Sequence, residues 1–531
     1  MEKIALFLSQ LDELIWGPWL ITLIIGTGIF LMIRMHFLPI RNFFYALRLA
    51  VGWKPWRHSR DISDSSSTQV ASGTPGFASH KETSDSSGPA SRQNTSADSH
   101  QTVFSAAPAS TKPKTAKAIS PLSSLTTELA ATIGTGNIVG VATAMILGGP
   151  GALVWMLISS VIGLSTKFAE STLSVKYRTK NADGQFVGGP MYTLSHGFPL
   201  KRLGKILAVL FAFFAVFASF GMGNMTQSNS IALALKESFD ISEGMTGLIL
   251  TILVILVILG GIGSISKITL WLVPAMALIY ILGSLAVIFA NFEKLGEGLA
   301  QIFTMAFSKK ALAGGFGGGL IVTLQDTLRY GISRGVFSNE AGLGAGGITA
   351  AAADTDSPAR QGYISMTGIF FDTILICSLT GLVLACSGVL GMRDASGELL
   401  TGSALAIAAF SSVFGDLGGD FVSAAISLFA FATIIAWEYQ GEKAFEYLVK
   451  RPGRCLWYRF IYGLVTFVGA VCSLEVVWDF SDIMNGLMAV PNLICILVMS
   501  ETVRSEIFTH EESRHFRHQN SSSLKKEHHS T

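Results

Sequence analysis

Residues 126–151 read TTELAATIGTGNIVGVATAMILGGPG, an apolar run broken by Gly134-Thr135-Gly136-Asn137. In hydrocarbon, backbone N–H and C=O groups must find their partners within the protein. A glycine-rich break at that depth is tolerated only where protein or an aqueous cavity covers it, and breaks of this kind build the substrate sites of secondary transporters. The competing reading is that Gly136-x-x-x-Gly140 only lets two helices pack closely.

The rest of the chain supports a membrane setting. Half of the residues are apolar and 14% are charged, against roughly 25% charged in a soluble domain. The net charge of +2 gives no footprint for nucleic acid. Apolar runs of spanning length fall near 14–35, 125–148, 151–175, 204–235, 245–263, 268–290, 317–350, 362–390, 417–440, 456–475 and 480–502. They predict about eleven transmembrane helices. A shorter run at 401–414 reads as a re-entrant or external hairpin. Lys and Arg concentrate after the first helix, near 176–205 and near 441–459. By the positive-inside rule this puts the N-terminus outside and the C-terminus in the cytoplasm.

The domain reading follows. Residues 1–57 form an extra transmembrane helix with a basic juxtamembrane segment. Residues 58–118 are rich in Ser and polar residues and read as a disordered cytoplasmic linker. Residues 119–503 are the ten-helix core, and 504–531 are a polar, disordered cytoplasmic tail. The five cysteines form no CxxC pair and read as small core residues. No cleavable leader is evident.

A second unusual stretch is QDTLRYGISRGVFSNEAGLGAGG at 325–347. Asp326, Arg329, Arg334 and Glu340 stand there between apolar flanks, and a charge at the bilayer centre costs about 2.5–3.5 kcal/mol on insertion scales. Part of the run is either loop, or its charges pair with one another, or Ser338–Gly342 is a second break. The breaks fall in the second and seventh helices, five apart. That spacing suggests two inverted five-helix repeats, with the first helix outside them.

A broken helix offers free N–H groups to a carboxylate and free carbonyls to a hard cation. Thr132, Thr135 and Asn137 add side-chain oxygens. Gln227 can donate and accept, either to a substrate or between helices. Trp437 either limits a cavity or anchors at the interface. Thr433 faces either an ion or a backbone carbonyl. Glu128 and Glu170 each suit a proton carrier or a structural partner for Lys167 or an arginine. Enzyme signatures are weak: His510-Glu511 to His515 has the wrong spacing for a zinc helix, and no Walker sequence is present.

At these residues the chain resembles the sodium:alanine symporter family. The stretches that carry the resemblance are LAATIGTGNIVGVATAMILGGPGALVWM (129–156), TKFAESTLSVKYR (166–178), GGPMYTL (188–194), RYGISRGVFSNEAGLG (329–344), RQGYISMTGIFFDT (360–373), FAFATIIAWEYQGE (429–442) and WDFSDIMNGLMAVPNL (478–493). The resemblance implies an all-α, leucine-transporter-like 5+5 inverted repeat and no enzyme activity. It implies sodium-coupled import of alanine or glycine by alternating access, across a bacterial inner membrane, by a monomer with no bound cofactor. Thr132, Thr135 and Gly136 would meet the substrate backbone. Gln227 would bind its polar atoms, and Phe337 and Trp437 would wall the pocket. Carbonyls of Ala130 and Ile133 would join Thr433 around the cation, and Asn137 and Asn339 would brace the breaks. Ala432 and Ala436 depart from the Ser and Gly usual in the family; the first change puts the cation site in question and the second the pocket size. The alternatives are a proton-coupled carrier of another small amino acid and, from other classes, a channel or a membrane scaffold.

Overall fold

The computed structural model describes residues 2–52, 118–308, 310–313, 320–450, 455–472 and 474–528. The expected linker lies almost wholly outside the described residues. Helices α1 (Glu2–Ile15) and α2 (Pro18–Arg34) open the chain, followed by short α3 (Leu38–Arg41) and α4 (Phe43–Ala50). The expected first span therefore has a separate helix before it, hinged at Gly17-Pro18 where proline cannot continue a helix from upstream. Trp16 fixes that corner by donating its indole N–H to the Asp482 carbonyl at 2.9 Å.

The first repeat begins with α5 (Pro121–Thr132) and α6 (Val139–Leu147), separated by a 3-10 turn at Thr135–Asn137. It continues with α7 (Ala152–Lys176), short α8 (Pro190–His196), α9 (Lys201–Phe220), α10 (Thr226–Phe239), α11 (Glu243–Ile258) and α12 (Gly261–Ala290). A π-helical turn at Gly221–Met225 joins α9 to α10 without ending the span. Helix α13 (Phe292–Ala306) and a hairpin of β3 (Lys310–Ala313) with β4 (Leu320–Thr323) link the repeats; the pair β1 (Thr179–Lys180) and β2 (Phe186–Val187) precedes α8.

The second repeat runs through α14 (Leu324–Asn339), α15 (Ala345–Ala350), α16 (Pro358–Ile369), α17 (Ser378–Ser387), α18 (Gly402–Phe414), α19 (Asp416–Val449), α20 (Cys455–Val471) and α21 (Leu474–Val498). A π-helical stretch at Phe370–Cys377 joins α16 to α17. Among the described residues seven helices are long and apolar enough to cross a membrane; with the shorter α11 and α20 and the two broken pairs α5/α6 and α14/α15 they make the eleven that the hydropathy pattern predicts. The span expected from 317 begins only at Leu324, because the preceding residues pair as a hairpin and Thr323 and Asp326 form a capping box. The expected hairpin at 401–414 is the single helix α18, packed against α6 and α19.

The tail departs most from expectation. Ser500–His528 is a helix, α22, not a disordered segment. Its mean composition is polar, but Val503 and Ile507 recur at helical spacing and are fully buried. The same face brings Glu501 to Arg34 at 2.6 Å, Glu506 to Lys176, His510 to Tyr45 at 3.0 Å and Glu511 to the Tyr363 hydroxyl at 3.0 Å. Ile507→Ala is expected to cost about 2–4 kcal/mol of stability by opening a buried cavity. Exposed Glu512→Ala should leave the melting temperature unchanged. Thermal unfolding of the two variants in detergent checks this; equal melting would mean that α22 does not dock.

Candidate functional site

The two breaks face each other at the centre of the bundle, and the first one is built by its own end groups. The last carbonyls of a helix have no intrahelical partner. In α5, the N–H that would reach the Ala130 carbonyl belongs to Gly134, and it donates instead to Asn137 Oδ1 at 2.9 Å. The freed Ala130 carbonyl points across to α19 and lies 2.9 Å from Thr433 Oγ1. The Ile133 and Phe429 carbonyls lie 3.5 and 3.1 Å from the same hydroxyl. One hydroxyl proton serves one of these three acceptors, so the group is an oxygen-rich cradle of the chemistry that hard cations favour. No room exists for a side chain beside it: a Cβ on Gly134 would stand 2.5 Å from Thr433 Oγ1.

On the far side of the break, the Thr135 N–H donates to Gln227 Oε1 at 3.1 Å. Gln227 is placed by the π turn: its Nε2 donates to the Met222 carbonyl at 3.0 Å. Such a turn misaligns backbone groups and frees a carbonyl that an α-helix would have used. The Thr135 hydroxyl is buried and, among the described residues, has no hydrogen-bond partner. Thr132 faces its own helix, with its hydroxyl 3.3 Å from the Leu129 carbonyl.

The second break spans Glu340–Gly344. Glu340, Gly342 and Gly344 all take left-handed backbone, which ends α14 and restarts the chain as α15. Asn339 braces it: Oδ1 accepts the Ala341 N–H at 3.0 Å, and Nδ2 donates to Ser160 and Thr373 hydroxyls at 3.2 and 3.1 Å. The breaks touch where a Cβ on Gly136 would meet the Ser338 Cα at 3.2 Å and the Phe337 ring at 3.3 Å. Phe337 stacks on Trp478, with centroids 5.1 Å apart. Arg334 lies over Trp478 and forms a bidentate pair with Asp482, at 2.7 and 3.2 Å.

Trp437 is fully buried, which excludes an interfacial anchor, and its Nε1 donates to Glu340 Oε1 at 2.8 Å. Its side chain packs on Gly223 of the π turn, where an added Cβ would stand 2.5 Å from the Trp437 Cβ and 2.6 Å from the ring's Cγ. Ala432 and Ala436 are fully buried neighbours on the same helix.

Sequence reasoning missed Asp372. Its carboxylate accepts from Asn137 Nδ2 at 2.7 Å, Ser338 Oγ at 2.9 Å and Thr373 Oγ1 at 2.6 Å, so one side chain ties both breaks to the π stretch before α17. The available signal was an acid inside the apolar run GIFFDTILIC. Arg329, by contrast, pairs outside the site with Glu13 at 3.2 Å and Asp12 at 3.6 Å.

A model described as the sodium:alanine symporter family matches residues 1–74 and 97–526. The sodium/alanine symporter AgcS of Methanococcus maripaludis is 42% identical over 517 residues, 97% of this chain and 98% of that protein. An uncharacterized transporter of Haemophilus influenzae is 36% identical over 500 residues, 94% of each chain. Among solved structures, MhsT in complex with L-phenylalanine aligns with a TM-score of 0.50 at 14% identity, covering 71% of this chain and 88% of that one. This likeness is one of fold.

Gly136→Val would push a branched side chain into Ser338 and Phe337, and Gln227→Ala would leave the Thr135 N–H without its acceptor. Each is expected to lower transport of labelled amino acid at least tenfold, with monodisperse protein still recovered from the membrane. Normal transport by both would remove these residues from the site.

Proposed function

This chain belongs to the sodium:alanine symporter family, and on that premise we propose that it imports small neutral amino acids, alanine or glycine, with sodium by alternating access. The observation that carries the reading is the meeting of the Ala130 and Ile133 carbonyls with the Thr433 hydroxyl, one residue from the Gly134–Asn137 break. Three neutral oxygens from two elements suit a dehydrated monovalent cation, which needs oxygen ligands and no buried counter-charge. The Ala432 methyl adds no ligand, so the cation relies on Thr433 and the backbone.

Beside this cradle, the 3-10 turn holds the Thr135 N–H, which donates to Gln227 and would have to be released to a substrate, and the Thr135 hydroxyl, which has no partner among the described residues. Both suit a carboxylate. Gln227 already accepts from the Thr135 N–H, so it positions the turn and lies within reach of a substrate amine or carboxylate. Thr132, which faces its own helix, serves the substrate less directly. Phe337 and Trp437 close the two sides, and Gly136 keeps the wall between them thin. A small side chain fits such a pocket better than a large one.

The distribution of Lys and Arg among the loops supports an N-terminus outside and α22 in the cytoplasm, and the reading takes the membrane to be a bacterial inner membrane. The energetics are sufficient. One positive charge moving through 100 mV releases about 2.3 kcal/mol. A tenfold sodium gradient adds about 1.4 kcal/mol, and together they sustain roughly a several-hundredfold amino-acid gradient at one-to-one coupling.

Proteoliposomes carrying an inward sodium gradient should accumulate labelled L-alanine, whereas an equal potassium gradient should not support accumulation. Uptake indifferent to sodium would overturn the coupling. Thr433→Ala is expected to raise the half-saturating sodium concentration at least tenfold while alanine binding at saturating sodium persists. An unchanged sodium dependence would move the cation elsewhere.

A further inference from the structure

Lys167 is buried in the middle of the fold, 2% exposed, on α7. The groups that face it come from every element packed around it. Glu128 projects from α5, Glu170 from its own helix one turn on, Glu340 from the second break and Asp372 from the π stretch before α17, all 2% exposed or less. The inner half-helix α15 presses on it as well, since a Cβ on Gly346 would collide with Nζ and lie 3.8 Å from Glu128 Oε2. Four buried carboxyls thus lie around one buried lysine.

Their hydrogen bonding separates them into two kinds. Both oxygens of Asp372 accept from donors, which suits a permanent anion. Glu128, Glu170 and Glu340 each use one oxygen only. Glu128 Oε1 accepts from Ser365 at 2.9 Å and Ser124 at 3.3 Å. Glu170 Oε1 accepts from the Gly342 N–H at 2.8 Å and Asn492 at 2.7 Å. Glu340 Oε1 accepts from Trp437. The Oε2 atom of all three is buried and, among the described residues, without a partner. Among the described residues, Lys167 donates one long hydrogen bond, to the Asn339 carbonyl at 3.4 Å. A buried carboxylate oxygen left bare is costly, and such a group neutralises by taking a proton.

We propose that Glu128, Glu170 and Glu340 around Lys167 form a proton site, separate from the cation cradle, whose occupancy changes during the transport cycle. The proton resides on an Oε2 atom and is shared across the cluster. Glu128 rides on the inner half-helix α5, Lys167 and Glu170 on α7, and Glu340 on the second break. When the half-helices shift to open the pocket, the distance from Lys167 to Glu128 changes, and the number of protons that balances the charge changes with it. Glu340 connects this site to the pocket wall through Trp437. Import thereby carries a proton linkage beside the sodium linkage. The inference rests on the transport reading above, and the tests below separate the two.

The first test traps a pH-sensitive dye inside proteoliposomes with the membrane potential clamped. Adding labelled L-alanine under a sodium gradient should move protons in step with alanine for the wild type. Glu128→Gln keeps the Ser365 acceptor and should cut proton movement per alanine at least threefold while alanine uptake continues. A silent dye in wild-type vesicles that accumulate alanine would overturn the proposal. The second test needs no transport: the infrared difference spectrum of the purified chain, sodium against choline, should contain a protonated-carboxyl band that Glu128→Gln alters. If vesicles take up no alanine, the substrate reading fails and this spectrum decides alone. A band that titrates and responds to Glu128→Gln upholds the proton site, and a spectrum without one overturns it.

Discussion

Asp372 is the interaction on which the architecture depends. Two helices are broken at the same depth, and each break leaves backbone groups that hydrocarbon cannot satisfy. Asp372 accepts from Asn137 of one break and Ser338 of the other. Asn137 then has its Oδ1 free to take the Gly134 N–H, and that bond in turn releases the Ala130 carbonyl toward Thr433. The chain of donors and acceptors thus leads from one buried carboxylate to the oxygen cradle around Thr433 in two steps. Removing any link would leave a charged or polar group unpaired where no water substitutes for it, which is why the breaks are rigid rather than frayed.

The site also explains its own glycines. Gly134 and Gly136 stand where a methyl would strike the Thr433 hydroxyl and crowd the Ser338 backbone and the Phe337 ring, so they are needed for close approach. Gly342 and Gly344 are needed for left-handed backbone. Glu340 takes the same left-handed conformation without being glycine. Its side chain is held by Trp437, and that contact works against the local backbone cost of about 1–2 kcal/mol.

Much of this was legible in the chain. Apolar runs gave eleven spans because a bilayer imposes a minimum length on each. The breaks were legible because glycine and polar residues have no other reason to sit inside such runs. The convergence of Thr433 with residues 303 and 300 positions away was legible only through family likeness, since spacing says nothing about two helices meeting. Asp372 was hidden because one acid in a helix does not announce its partners. Helix α22 was hidden because its docking face is narrow: Val503 and Ile507 lie among charged residues whose ion pairs reach other helices. The start of α14 was misplaced because apolar residues of a strand and of a helix end read alike.

The π turn at Gly221–Met225 sets the rotation of the helix that follows it. A π turn holds an extra residue relative to an α-helix, so everything beyond it is rotated by about 100° from where an unbroken helix would carry it. Helix α9 keeps its apolar face outward toward lipid, while α10 turns Gln227 inward to the break. The position of that glutamine is thus set by how many residues precede it. Shortening the turn by one would swing Gln227 off the Thr135 N–H and carry Gly223 off Trp437, although every side chain of the site were kept. The pocket is therefore more tolerant of exchanged residues in α9 than of a changed length.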